Sequence, residues 1–295
     1  MARRRPPTVH GVAIVDKPAG VTSHDVVGML RRRFSERRVG HAGTLDPDAT
    51  GVLVVALGHA TRLLKYVGDT TKRYTGEVVL GVETDTLDAA GAVVATHEMG
   101  DVDIDDARRV VSEHLLGDIE QVPPMVSAIK VDGRRLHELA REGVEVERAP
   151  RPVTIHRFDV EPGTEPGVFA IDVECSSGTY VRTLAADLGR LLGGGAHLRA
   201  LRRTAVGSFS IDEAAAPDEC ELLPVATAVR SLPAVDVDAD TAELVGHGRP
   251  LDRSAWPGAG PWAVFGPGRE LLAVYEPFRG ALAKPSVVLP PTTSR

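Results

Sequence analysis

A strict two-residue period near the middle of this chain constrains its fold more than any other feature. Between residues 168 and 175, Phe169, Ile171, Val173 and Cys175 alternate with Ala170, Asp172 and Glu174. Strand side chains point alternately to two faces, so the segment predicts a strand with one face covered. An uninterrupted apolar run over 52–57 predicts a buried strand, and further strands are predicted over 10–15 and 74–82. A helix is expected after the first strand, with Thr22 or Ser23 as N-cap and Asp25 in its first turn. Helical spacing recurs over 104–116, where Gly117 stops it, over 136–141 and over 183–192. Several strands follow one another with no helix between them. This predicts an α+β architecture rather than a doubly wound parallel sheet.

Composition narrows the function classes. Hydrophobic residues make up 43% of the 295, enough for a sizeable core. Two cysteines exclude a disulfide scaffold and a Cys-rich zinc module. No apolar run has the length of a membrane helix, and none of signal-peptide length follows Arg3, Arg4 and Arg5. A soluble, cytoplasmic protein is expected. The net charge of −7 conceals an asymmetry: residues 1–74 carry 13 lysines and arginines against 6 acids, leaving −14 on the remainder. Arg31, Arg32, Arg33, Arg37 and Arg38 form the densest basic cluster, and Arg199, Arg202 and Arg203 a second. A basic face on an acidic body fits nucleic-acid binding, and a solvated arginine-rich helix fits equally well. Near residue 217 the composition turns proline-punctuated and acidic. Short strands follow over 262–265, 271–275 and 286–289, the first two joined by Gly266-Pro267-Gly268. A small β-rich second domain is expected over 232–295, after a first domain over 1–231.

Three segments can carry chemistry. Residues 37–51 are expected to form a loop, of which 40–51 hold three glycines, His41, Asp46 and Asp48 just ahead of the buried strand. A tight turn accounts for this composition. A carboxylate presented from such a loop also suits a nucleophile or base. Cys175-Ser176-Ser177-Gly178-Thr179-Tyr180-Val181-Arg182 ends a strand and starts a helix. An arginine in a first turn opposes the helix dipole, which suggests that Arg182 faces a specific acid. Asp16-Lys17-Pro18-Ala19-Gly20-Val21-Thr22-Ser23 feeds the first helix. Lys17 there reads as a surface residue of a turn or as a phosphate contact. No pair of histidines at helical spacing accompanies the acids, so no metal site is expected.

In combination, these segments resemble the bacterial tRNA pseudouridine-55 synthases of the TruB family. The resemblance runs from about residue 9 to 210. It takes in the segments above together with Lys72-Arg73-Tyr74, Gly81-Val82-Glu83-Thr84-Asp85-Thr86-Leu87-Asp88, the stretch from Pro123 to Lys130, and the stretch from Ala196 to Thr204. It implies a mixed, mostly antiparallel sheet flanked by helices, with a small PUA-like RNA-binding domain at the C-terminus. It implies that Asp46 is the catalytic aspartate, that Tyr74 packs on the target base and that Arg182 pairs with the carboxylate. By the same resemblance His41 enters the RNA loop, and Tyr180 and Leu201 line the uracil pocket. Lys17 is carried over as a substrate contact. The family often has tyrosine where this chain has Val126 and His137.

The implied activity is isomerisation of a uridine in the T-loop of tRNA, by extrusion of the base and an aspartate-dependent exchange of the glycosidic bond. No net redox change occurs, so no cofactor is implied. The T-arm is the implied partner, with no obligate protein partner, and a monomer is expected. Phosphate contacts are expected from the basic N-terminal third and from Arg199 to Arg203. Arg182 is expected to keep Asp46 ionised by lowering its pKa. An RNA-binding protein with dispensable catalysis and a carboxylate-dependent hydrolase using Asp46 and Asp48 are the competing readings.

Overall fold

The computed structural model describes residues 6–99, 102–127, 130–131, 134–135, 142, 144 and 146–290. The helix expected over 136–141, and with it His137, lies outside the described residues. The architecture is the α+β one expected. Its main sheet has the order β1-β3-β12-β4-β11-β10-β7, with β2 beside β3 and β13 beside β12. In chain order these strands are β1 (Gly11–Lys17), β2 (Val39–Ala42), β3 (Thr50–Leu57), β4 (Lys72–Leu80), β7 (Gly117–Gln121), β10 (Arg151–Pro162), β11 (Val168–Cys175), β12 (Ala196–Val206) and β13 (Phe209–Ser210). Two small hairpins complete the series, β5 (Val82–Thr84) with β6 (Val93–Thr96) and β8 (Lys130–Val131) with β9 (Arg134–Arg135). Neighbours pair antiparallel except β3 and β12, which run parallel.

The apolar run over 52–57 is buried because β3 is covered on both faces. Leu53, Val55 and Leu57 pack with Val26, Val27 and Leu30 of helix α1 (Ser23–Arg33). Val52, Val54 and Ala56 pack on the other face with Leu63, Val206, Phe209 and three residues of a second sheet. Each fully buried aliphatic side chain contributes roughly 1.5–3 kcal/mol, so this strand is a major anchor of the fold. Helix α1 begins with a capping box, in which Thr22 accepts from the Asp25 amide and Asp25 accepts from the Thr22 amide. Helix α3 (Ile104–Val110), after the short α2 (Leu64–Gly68), and helix α4 (Val181–Leu191) cover the β4–β11 end of the sheet through Ala107, Leu184 and Leu188. Cys175 lies on the same covered face and is fully buried.

Gly51 sets the closest approach within the sheet. Its φ is +102°, and a side chain there would meet the carbonyl oxygen of Arg203 at 2.1 Å. Only glycine lets β12 lie against the start of β3. That contact brings Leu201 and Tyr74 beside the loop that precedes β3.

The second sheet has the order β14-β16-β17-β18-β15, from β14 (Ala234–Asp236), β15 (Leu251–Asp252), β16 (Trp262–Phe265), β17 (Leu271–Pro277) and β18 (Leu282–Val288). Helix α5 (Ala239–Gly246) precedes β15. Alternation splits its strands between two cores. Trp262, Val264 and Tyr275 face inward, with Trp256 edge-on to both aromatic rings. Ala263, Val274 and Val287 face the main body and share its core. No helix among the described residues is long and apolar enough to cross a membrane.

Candidate active site

The loop between β2 and β3 is fastened from two sides. The Ser23 hydroxyl donates to the Leu45 carbonyl at 3.1 Å and accepts from the Leu45 amide at 2.9 Å. Lys17 is fully buried at the end of β1. Its ammonium donates to the carbonyls of Pro18, Val21 and Pro47 at 2.7–2.8 Å. Arg203, also buried, grips the opposite side by donating to the carbonyls of Gly43 and Val52. The expectation that residues 37–51 form one loop is corrected here. Residues 39–42 are strand β2, because their backbone pairs with β3 from Val54 to Leu57.

These fastenings revise the role of Lys17. It is not a surface contact for phosphate, since all three of its protons are taken by carbonyls inside the protein. It is a positioning residue that ties the turn before α1 to the loop bearing Asp46. The variant Lys17→Met leaves three carbonyls without this donor, at roughly 1–3 kcal/mol for each buried group left unsatisfied. A melting temperature several degrees lower, with weakened turnover and unchanged RNA affinity, is the expected result in paired calorimetric and kinetic measurements.

Asp46 projects from this loop toward Arg182, in the first turn of α4. Arg182 Nε lies 3.1 Å from Asp46 Oδ2, and Nη2 donates to Oδ1 at 3.3 Å. The rest of the guanidinium is also engaged. Nη1 donates to Asp88 Oδ2 at 3.1 Å and to the Thr86 carbonyl at 3.0 Å, and Nη2 donates to the Val126 carbonyl at 2.9 Å. Four hydrogen bonds thus leave the two terminal nitrogens of the fork, and Nε lies in ion-pair contact with Asp46. The Arg182 side chain is only 5% exposed, whereas that of Asp46 is 42% exposed and opens to the cleft. The helix start that carries Arg182 is held by buried Gln121, which accepts from the Tyr180 amide at 2.7 Å and donates to the Tyr180 carbonyl at 3.0 Å.

Two cavities meet at this ion pair. One, of about 280 Å³, is lined by Asp46, Tyr74, Tyr180, Arg182, Leu201 and Lys72 among others. The other, of about 410 Å³, is lined by Asp46, Asp88, Val126, Arg182 and Leu201 among others. Of the residues singled out from the sequence, Asp46, Tyr74, Tyr180, Arg182 and Leu201 thus share one site. His41 lines neither cavity. It sits half-buried on β2, and its Nδ1 is buried without a hydrogen-bond partner among the described residues.

Burial dominates the electrostatics. It pushes the Asp46 carboxyl above its usual pKa, and the nearby Asp88 carboxylate pushes the same way. Arg182 and Lys17 pull it down without cancelling the rise. The expectation that Arg182 leaves Asp46 with a depressed pKa is therefore corrected, because desolvation of the carboxylate outweighs the guanidinium. Burial likewise raises the Tyr74 phenol, which stays neutral, and lowers Lys72 to about 8. His41 is lowered by burial and by Arg203, which favours the neutral ring.

Asp88, the second carboxylate on Arg182, is the residue of this site that sequence reasoning passed over. It stands 42 positions from Asp46 on a separate loop, with no spacing signal to link them. The second basic cluster is corrected too. Arg199 pairs with Glu77 and Glu165, Arg202 with Asp16, and Arg203 is buried.

A model described as the N-terminal domain of TruB family pseudouridylate synthases matches residues 31–181. The chain belongs to the TruB family. Two further models, the C-terminal domain of tRNA pseudouridylate synthase B and the C-terminal region of tRNA pseudouridine synthase II, match residues 182–227 and 232–290. A TruB relative from Arthrobacter sp. (strain FB24), named tRNA pseudouridine synthase B, is 46% identical, with 97% of this chain and 98% of that one covered. A protein of the same name from Mycobacteroides abscessus is 50% identical, with 82% and 84% covered. Among solved structures, a chain of a Cbf5-Nop10-Gar1 complex superposes with a TM-score of 0.72 at 26% identity, covering 94% of this TruB chain and 84% of its own. The sheet is that of the pseudouridine synthase fold, followed by the PUA-like C-terminal domain of TruB proteins.

Proposed function

We propose that this chain is a tRNA pseudouridine synthase that isomerises a uridine in the T-loop, with Asp46 as its catalytic residue. The observation that carries this reading is a carboxylate gripped by a buried arginine on the wall of a cavity backed by Tyr74. The reaction breaks the N1–C1′ bond, turns the base and forms C5–C1′. The C5 proton is released and N1 gains one, so atoms and electrons balance with no external reagent. A carboxylate suits this sequence because it can form and release an adduct or move a proton. The fork of Arg182 fixes its orientation, and Asp88 fixes the fork. Tyr74 offers a ring on which an extruded uracil can stack, worth roughly 1–3 kcal/mol against a few kcal/mol for unstacking. Tyr180 and Leu201 complete an apolar rim, and His41, on β2 just before the loop of Asp46, is the residue proposed to meet the RNA loop. The C-terminal unit over 232–295 adds a second RNA-binding surface.

The test is direct. Purified protein is incubated with a T-arm stem-loop, and carbodiimide labelling maps the product. One pseudouridine at a single loop position, with RNA mass unchanged, is the expected outcome. A mass gain of water or a lost base points to hydrolysis and overturns the assignment.

A further inference from the structure

The far end of β3 carries positive charge that the active site does not use. Strand β2 leads from Arg38 at that end to the loop of Asp46 at the other. Its register sets Val39 opposite Leu57, while the loop of Asp46 joins β3 at Thr50. Seven strand steps separate these ends, or about 23 Å at roughly 3.3 Å per residue.

Arg31, Arg38 and Arg62 are exposed here and close together. Arg31 donates to the Val39 carbonyl, Arg38 to the Thr61 hydroxyl, and Arg62 to the Val288 carbonyl of the second sheet. None of the three forms an ion pair among the described residues, whereas Arg73, Arg108, Arg157, Arg190 and Arg230 elsewhere each hold a carboxylate. The acid nearest in sequence, Glu36, is buried and occupied by the amides of Thr8, Val9 and Arg38. Arg38 and Arg62 also line a cavity of about 1160 Å³, together with Glu243, His247 and Glu270. Exposed guanidinium groups left unpaired on a chain of charge −7 suit a polyanion.

We infer that Arg31, Arg38 and Arg62 form a second phosphate-binding surface, which holds the RNA backbone in the helical stem some 23 Å from the extruded nucleotide. This rests on the proposed RNA substrate and adds to it a length requirement. At about 2.8 Å per base-pair step of an A-form RNA helix, 23 Å is roughly eight steps. A stem shorter than that does not reach the surface, and a longer one does.

The experiment compares the wild-type protein with the triple variant R31Q/R38Q/R62Q on two hairpins, with stems of about four and about twelve base pairs, chosen to fall either side of that reach. Affinity is measured by filter binding across a salt series, and both proteins are melted to check folding. The expected result is confined to the long stem: affinity falls about tenfold or more, and the slope of log affinity against log salt shrinks by about 2 to 3, near one per lost phosphate contact. Equal affinity and slope on the long stem overturn the inference, as do equal losses on both stems, which place these arginines at the loop. If the wild-type protein isomerises neither hairpin yet shows the length-dependent loss, the proposed activity fails and the surface stands.

Discussion

Asp46→Asn is expected to abolish turnover, by at least about 10³-fold, while tRNA affinity stays within a few-fold of wild type. Asparagine keeps the shape of the side chain and one oxygen for Arg182. It cannot add covalently or accept a proton at neutral pH. Arg182 retains Asp88 and two carbonyls, so its position is held without the Asp46 charge. Tritium release from 5-tritiated uridine in tRNA measures the chemical step, and filter binding measures affinity. Turnover within tenfold of wild type removes Asp46 from the chemistry.

Arg182→Met is expected to damage stability and chemistry together. Deleting one partner of a buried ion pair leaves charge uncompensated, at roughly 3 kcal/mol or more. Partial exposure of Asp46 and Asp88 keeps the cost near the lower end, because cleft water can solvate them. A drop in melting temperature of roughly 5–10 °C follows for a chain of this size. The effect on pH has a definite sign. Burial already raises the Asp46 pKa, and Arg182 is its strongest downward influence. Without Arg182 the pKa rises further. Ionised Asp46 is lost as pH falls through its pKa, so the acid limb of the pH–rate profile moves to higher pH. Arg182→Lys restores the charge without the two-pronged geometry, and an intermediate limb is expected. A melting temperature and acid limb both equal to wild type show that Arg182 does not act through Asp46.

The site was legible in unequal parts, for reasons local to each residue. The loop of Asp46 stood out because glycines and acids are concentrated just before an apolar run. Arg182 stood out because a cation in a first helical turn needs a compensating acid. Lys17 misled, since lysine in a Pro-Gly turn reads as a surface residue until three buried carbonyls are seen around it. The cluster from Arg199 to Arg203 misled in the same way, because its carboxylate partners Asp16, Glu77 and Glu165 come from distant segments. His41 was expected in a loop, and the pairing of residues 39–42 with β3 makes it part of a strand.

By itself the sequence determined the periodic elements, the α+β architecture and, through ordered motifs, the TruB family. Those features depend on neighbours within a few residues or on a linear pattern, both of which a chain displays before it folds. Only the tertiary structure decided that Asp88 shares the arginine of Asp46, that burial outweighs Arg182 at the Asp46 carboxyl, and that Arg199 and Arg202 are paired with carboxylates. Each of these depends on groups far apart in sequence meeting in a medium with little water, where distance and desolvation set the energy.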